Sequence, residues 1–195
     1  MTNEDACYFF GDYTPRAGFN HSQTNQLISN LKKHQKYRND YSWKYKDIAI
    51  QFSGKAIAGG LNKSAADRIL IVPIPPSKPS NHAEYDDRMH QVAMNAKPFQ
   101  SSCLLSTNKP RDPAHRQDGG RSVENVYQTL QSHPELYDGK PICVLIDDVL
   151  TTGSSFKAAK RKISEMGFFE EILGIFVARC VWPKMQFDLL GLDGL

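Results

Sequence analysis

Asp147 and Asp148 are adjacent carboxylates, and Thr151, Thr152, Gly153, Ser154 and Ser155 follow them within a few residues. Carboxylates accept hydrogen bonds from vicinal hydroxyls, while hydroxyls and free backbone N–H groups donate to phosphate oxygens. Small residues such as Gly153 let a phosphate approach the backbone closely. Together the pattern suits a ribose 5-phosphate, with the phosphate in the loop and the 2- and 3-hydroxyls against the two acids. The loop is neither a Walker A sequence nor a dinucleotide fingerprint, because neither glycine pattern is present. The plainer alternative is a helix capped by Ser or Thr with two solvated acids before it.

The neighbouring sequence must position these groups. ICVLI, 142–146, reads as a buried strand that delivers Asp147 and Asp148 at its carboxyl end. A helix over 154–166, closed by Gly167, would then present its N-terminal N–H groups and the positive end of its dipole to an anion. Three more apolar runs predict strands: 68–75, 103–107 and 171–181. Helices are expected over 22–36 with Ser22 as N-cap, over 42–58, over 84–97 and over 121–132. In the second of these, Ile48, Ala49, Phe52, Ala56 and Ile57 define the expected buried stripe. Strands that are apolar throughout and alternate with helices indicate an α/β fold with a central parallel sheet covered on both faces. Ligands of such sheets bind beyond the carboxyl ends of the strands, where the acids and the hydroxyl loop fall.

A chain of 195 residues is the size of one domain. A net charge of +3 does not demand nucleic acid as a partner. No run of about 18 apolar residues exists, and the polar, acidic start predicts a cytoplasmic protein rather than a secreted one. Cys7, Cys103, Cys143 and Cys180 form no C-x-x-C pair, so no zinc knuckle or disulfide framework is expected.

VLIDDVLTTGSS, 144–155, resembles the phosphoribosyl-pyrophosphate (PRPP) motif of type I phosphoribosyltransferases. The resemblance implies a core parallel sheet, a small N-terminal hood within residues 1–40 and a mobile loop, all in one domain spanning 1–195. It implies transfer of the ribosyl phosphate of PRPP to a nitrogenous base with release of pyrophosphate. It also implies Mg²⁺ carried by pyrophosphate and ribose oxygens, with no direct protein ligand. IVPIPPSK, 71–78, is similar to the pyrophosphate loop of the competence-associated, ComF-like branch, with Pro76, Ser77 and Lys78 after the strand and Lys78 facing pyrophosphate. RQDGGRSVENV, 116–126, resembles the Q…R-x-x-N-V of that branch, in which Gln117 precedes the mobile loop and Arg121 opens the next helix. The N-terminal YFFGDYTPRAG is similar to the branch's short hairpin. By this resemblance Asp147, Asp148, Lys78 and Arg116 carry catalysis, and Val149, Leu150, Thr151, Thr152, Gly153, Ser154 and Ser155 bind phosphate. Arg111, His115, Arg116, Gln117 and Arg121 belong to the mobile loop. This chain lacks the branch's N-terminal zinc segment. Its 81–93 segment keeps Arg88 and Gln91 but adds Glu84, Asp86 and Asp87, acids that would repel pyrophosphate unless they point away. A non-catalytic or nucleotide-cleaving sensor subunit in a larger complex is the alternative function.

His82, His90, His115 and His133 show no metal spacing; of these, His115 is the candidate acid or base. Lys32, Lys33, Lys36 and Arg38 cluster at a helix end, where a solvated face complementing the helix dipole is the default and contact with nucleic acid the alternative. Trp43 is expected in the core. The apolar tail, 183–195, reads as a capping segment or a partner-docking one, and a homodimer or larger assembly is left open.

Overall fold

Three apolar strands make the centre of the molecule: β3 (Ile69–Pro73), β7 (Ile142–Leu150) and β8 (Glu171–Cys180). The computed structural model describes residues 5–111 and 122–183. β7 lies between β3 and β8 and runs parallel to both, in register from Ile69↔Ile142 to Pro73↔Ile146 on one side and from Ile142↔Glu171 to Leu150↔Arg179 on the other. Short strands complete a six-stranded parallel sheet. β1 (Cys7–Phe9) and β2 (Asp12–Tyr13) both pair with β8, and β4 (Gln100–Ser101) pairs with β3.

Helices cover both faces, as strands buried on two sides require. On one face α1 (Gln23–Leu31), α2 (Lys44–Gly59) and α3 (Arg88–Met94) pack Ile28, Leu31, Ile50, Ile57 and Val92 against Val144 and Ile146. On the other, α4 (Val123–Tyr127) and α5 (Ser154–Ser164) pack Val126, Phe156, Ala159 and Ile163 against Cys143 and Leu145. Each fully buried large side chain contributes about 1.5–3 kcal/mol relative to exposure. α1 starts where Ser22 accepts from Asn25 N at 3.0 Å, the predicted N-cap. The approach of α2 to α3 is close at Gly54, where a Cβ would sit 2.6 Å from Asn95 Cβ and 2.7 Å from the Val92 carbonyl. Among the described residues no helix is long and apolar enough to cross a membrane.

The fold class is the predicted one, but several elements differ. The run 103–107 is not a strand of the parallel sheet. Its β5 (Leu105–Thr107) pairs antiparallel with β6 (Leu130–Ser132), and β4 takes the place beside β3. The helix expected over 121–132 stops after Tyr127 because its second half becomes β6. The helix expected over 84–97 is confined to 88–94, and that over 22–36 ends at Leu31. The N-terminal strands form no hairpin, since both run parallel to β8. The buried stripe of α2 is rotated from the expected one: Lys46, Ala49, Ile50, Ser53, Gly54, Ile57 and Ala58 face inward. Ile48 and Phe52 remain 57% and 60% exposed. Trp43 is half-buried. The tail beyond Pro183 lies outside the described residues.

Candidate functional site

β7 continues past the point where its β3 partner leaves. Ile74 N donates to Ile146 O at 2.9 Å, and Pro75 and Pro76 follow. Proline has no N–H, so the ladder cannot be extended there. Residues Asp147 to Leu150 are therefore held by β8 alone, through Asp147↔Phe176, Val149↔Ala178 and Leu150↔Arg179. The vacated edge is a cleft at the carboxyl end of the sheet. The strand runs four residues beyond the predicted end, and both acids are part of it.

A polar cavity of about 200 Å³ occupies this cleft. Its walls include Asp147 and Asp148, the whole of 149–155, Ser77 with Pro75 and Pro76, and three cations, Lys32, Arg88 and Arg111, together with Phe156 and Phe176. Gly153 adopts φ +78°, the left-handed region, directly before α5. Any other residue there costs about 1–2 kcal/mol. Gly153 has no side chain with which to cap the helix. The first-turn N–H groups of α5 thus lack a side-chain cap from that position, among residues that line the cavity. The Thr152 and Ser154 hydroxyls lie 3.0 Å apart beside them. Arg111 is anchored to the β3 loop, its Nη2 donating to Pro75 O at 3.0 Å and its N to Ser77 O at 2.9 Å.

The two acids differ sharply. Asp148 is buried and accepts from Arg88 Nε at 2.9 Å, while Lys32 Nζ lies 3.0 Å from its other oxygen. Arg88 also pairs with Asp86 at 3.0 Å, and Asp86 with Lys46 at 2.7 Å. Lys46, on the inward face of α2, is only 1% exposed. Lys46, Asp86, Arg88, Asp148 and Lys32 thus form a chain of alternating charge from α2 through α3 and β7 to the end of α1. Burial alone would raise the Asp148 carboxyl, but Arg88 and Lys32 outweigh it and hold the group down at about 2. Burial lowers Lys46 against the pull of Asp86. Burial also opposes the charge on Arg88, yet Asp148 and Asp86 keep it firmly protonated. Asp147 is half-buried and makes no salt bridge among those described. It accepts from Asp148 N at 2.8 Å. Burial first, and the charge on Asp148 second, push it up to about 7.

A second cavity, of about 250 Å³, adjoins the first and shares Asp147, Arg88, Pro75 and Pro76 with it. Its walls include Ile74, Met89, Leu105 and Leu136. Several of its polar groups are already paired. Ser106 Oγ lies 2.7 Å from His133 Nε2, Cys103 Sγ lies 3.0 Å from His90 Nδ1, and Thr107 Oγ1 donates to Pro76 O at 2.7 Å.

Of the residues singled out in the sequence, Asp147, Asp148, Val149, Leu150, Thr151, Thr152, Gly153, Ser154, Ser155, Pro76, Ser77 and Arg111 meet in the polar cavity. Lys78 does not. It lines the second cavity, 3.9 Å from Glu84, because the chain after Ser77 turns away from the β7 loop. His115, Arg116, Gln117 and Arg121 lie outside the described residues. Lys32 and Arg88 also line the polar cavity, although the sequence suggests a solvated helix end for Lys32 and marks Arg88 only as kept from the branch's 81–93 segment, neither among the site residues. The lysine pair closing α1 and the arginine after Asp86-Asp87 were the available signals, but only the fold brings them to Asp148.

No protein-family model matches the chain, and no curated protein matches it. Six chains of solved structures are similar. One of them is described as the allosteric regulatory enzyme of purine biosynthesis, with a TM-score of 0.39 and 16% identity. The match covers 66% of this chain and 25% of that one, so this chain spans about a quarter of the enzyme's length.

Proposed function

We propose that this protein is phosphoribosyltransferase-like. It binds the ribose 5-phosphate unit of PRPP or of a nucleotide, and it transfers the phosphoribosyl group to a nitrogenous base with release of pyrophosphate. The carrying observation is that one cavity unites the Asp147-Asp148 pair with the complete 149–155 loop at the start of α5. The acids of the 81–93 segment do not argue against an anionic ligand as strongly as their sequence suggests. Asp86 is neutralised by Lys46 and Arg88, Asp87 accepts from Gln91 Nε2 at 2.7 Å, and Glu84 lies toward Lys78 and His34.

In the reaction the bond from the sugar's anomeric carbon to pyrophosphate breaks, a bond to nitrogen forms, and that nitrogen's proton passes to solvent. Positive charge develops on the ribose ring as pyrophosphate leaves. The chain's contribution is positional and electrostatic. Thr151 to Ser155 hold the 5-phosphate, Asp147 accepts a ribose hydroxyl and favours ring charge, and Lys32 and Arg111 face the departing anion. Asp147, an oxygen donor with no salt bridge among the described residues, suits Mg²⁺ in kind. The ion, when bound, would supply neutralisation of pyrophosphate.

A second reading is a binding module without turnover. Its support is that Asp148 is fully engaged by Arg88 and Lys32, so a ribose hydroxyl would have to displace a cation to reach it. Incubation with Mg²⁺, PRPP and a panel of bases separates the two. Pyrophosphate release that depends on an added base supports transfer, whereas calorimetric binding without release supports the sensor. Unchanged PRPP affinity in the Asp147→Asn, Asp148→Asn double variant would remove the site assignment altogether.

A further inference from the structure

The segment joining α1 to α2, with the first residues of α2, carries exposed cations and exposed rings in alternation. Lys36, Tyr37, Arg38, Tyr41, Lys44 and Tyr45 are all exposed, and Tyr41 is 80% so. The cations sit over ring faces: Lys44 Nζ lies 3.7 Å from the Tyr41 centroid and 5.1 Å from that of Tyr45, and Lys36 Nζ lies 4.9 Å from Tyr37. The backbone beneath is fixed. Lys33 Nζ donates to Ser42 O at 2.9 Å, and Asp40 caps the turn by accepting from Ser42 N at 2.7 Å. The acids of this stretch are Asp40, spent on that cap, and Asp47 at the start of α2. Lys32, the residue before Lys33, reaches into the polar cavity, so the patch begins where the cavity wall ends.

This combination favours one class of partner. The cores of protein interfaces are depleted in lysine. Shallow membrane insertion draws on Trp, Phe and Leu wedges, whereas all three rings here carry a hydroxyl. Single-stranded nucleic acid, in contrast, is bound by rings that stack on bases and cations that follow the phosphates. We propose that this patch binds single-stranded nucleic acid, with bases stacked on Tyr37, Tyr41 and Tyr45 and phosphates against Lys36, Arg38 and Lys44. The proposal is independent of the phosphoribosyl reading.

Fluorescence anisotropy with labelled oligo-dT and oligo-rU of about 20 nucleotides tests it on the full chain. Three phosphate contacts predict an affinity that falls about 20-fold between roughly 50 and 200 mM salt. Replacing both rings, Tyr41→Ala with Tyr45→Ala, lowers affinity roughly tenfold or more. The Tyr→Phe pair at the same positions keeps the stacking face and retains affinity. Lys36→Glu with Lys44→Glu weakens binding further and flattens the salt dependence. Unchanged affinity in the Ala pair overturns the proposal, as does equal binding of a duplex of the same length. Absence of binding at about 50 mM salt, or preferential uptake by phosphatidylserine vesicles, overturns it too.

Discussion

The two cavities that meet at Asp147 are built on opposite plans. In the polar one, Thr152 and Ser154 pair with each other, but Gly153 gives the start of α5 no side-chain cap, and the Thr151 and Ser155 hydroxyls take part in no hydrogen bond among the described residues. In the other, hydroxyl, thiol and imidazole groups are paired with one another, and what remains on view is largely hydrocarbon. A folded chain normally satisfies its buried polar groups internally. Unspent donors concentrated on one side of a shared wall therefore mark the side prepared for a ligand.

The contrast can be broken at the wall itself. Asp148→Asn removes the anion between Arg88 and Lys32 and leaves a buried guanidinium short of charge. Loss of one partner of a buried pair predicts a destabilisation of about 3 kcal/mol, read as a lower denaturation midpoint in urea. A rise in midpoint would mean that the chain of alternating charge is not holding α3 to β7.

Gly153→Ala acts on the polar side alone. It forces a Cβ into the left-handed region, costs about 1–2 kcal/mol and displaces the loop from which α5 starts. Ribose 5-phosphate affinity is expected to fall roughly tenfold or more, a loss on the scale of that strain energy. Calorimetry that finds native affinity would exclude the loop as the phosphate cradle.

pH separates the two acids. The native Asp147 carboxyl, at about 7, binds its proton more tightly than in the unfolded chain, where carboxylates titrate near 4. Its neutral form contributes stability that is fully present below about pH 4 and is lost as pH rises through about 7. Asp148, held at about 2, contributes stability that is present above about pH 4 and lost as pH falls toward 2. Asp147→Asn should accordingly raise the melting temperature more at pH 8 than at pH 5. Its cost to ribose 5-phosphate affinity should grow over the same interval, because the ionised acid accepts the ribose hydroxyl more strongly than the neutral one. Equal effects at both pH values would show that Asp147 is not proton-loaded in the native state.

The smallest effect belongs to the apolar side. Ser106→Ala cuts the Ser106–His133 contact and should leave ribose 5-phosphate affinity within about twofold, since Ser106 is not part of the polar cavity. A larger loss would join the two cavities into one site.

What could be read from the sequence was what is local. The apolar run into Asp147, the small-residue turn and the helix that starts at Ser154 are set by neighbours a few positions apart; each begins where the spacing predicts, although the strand runs on to Leu150 and the helix, expected to reach residue 166, ends at Ser164. The failures were non-local. Leu104 and Leu105 read as a sheet strand, because a short apolar run does not disclose its partner; the partner is β6, not β3. Lys46 carried no inward signal, because a charged residue is normally left in water; Asp86, 40 positions later, is what admits it. With Lys46 turned in, Ile48 and Phe52 are turned out. Lys32 and Arg88 reach Asp148 across the fold, the latter from 60 positions away, and no motif spans that interval.

Successive side chains of a strand project to opposite faces, and β7 uses this with its two acids. Asp148 goes with Val144 and Ile146 to the face of α1 to α3, where the cations are; Asp147 goes with Cys143 and Leu145 toward the face of α5. The identity of each acid is therefore a matter of parity rather than of type. Insert one residue between Pro141 and Asp147, and Asp147 would take the place among Arg88 and Lys32, while Asp148 would move on to the place of Val149 and lose its partners. The spacing from the start of β7 to the acids is as much a determinant of this site as the acids themselves, and it is invisible to any motif that records only which residues stand side by side.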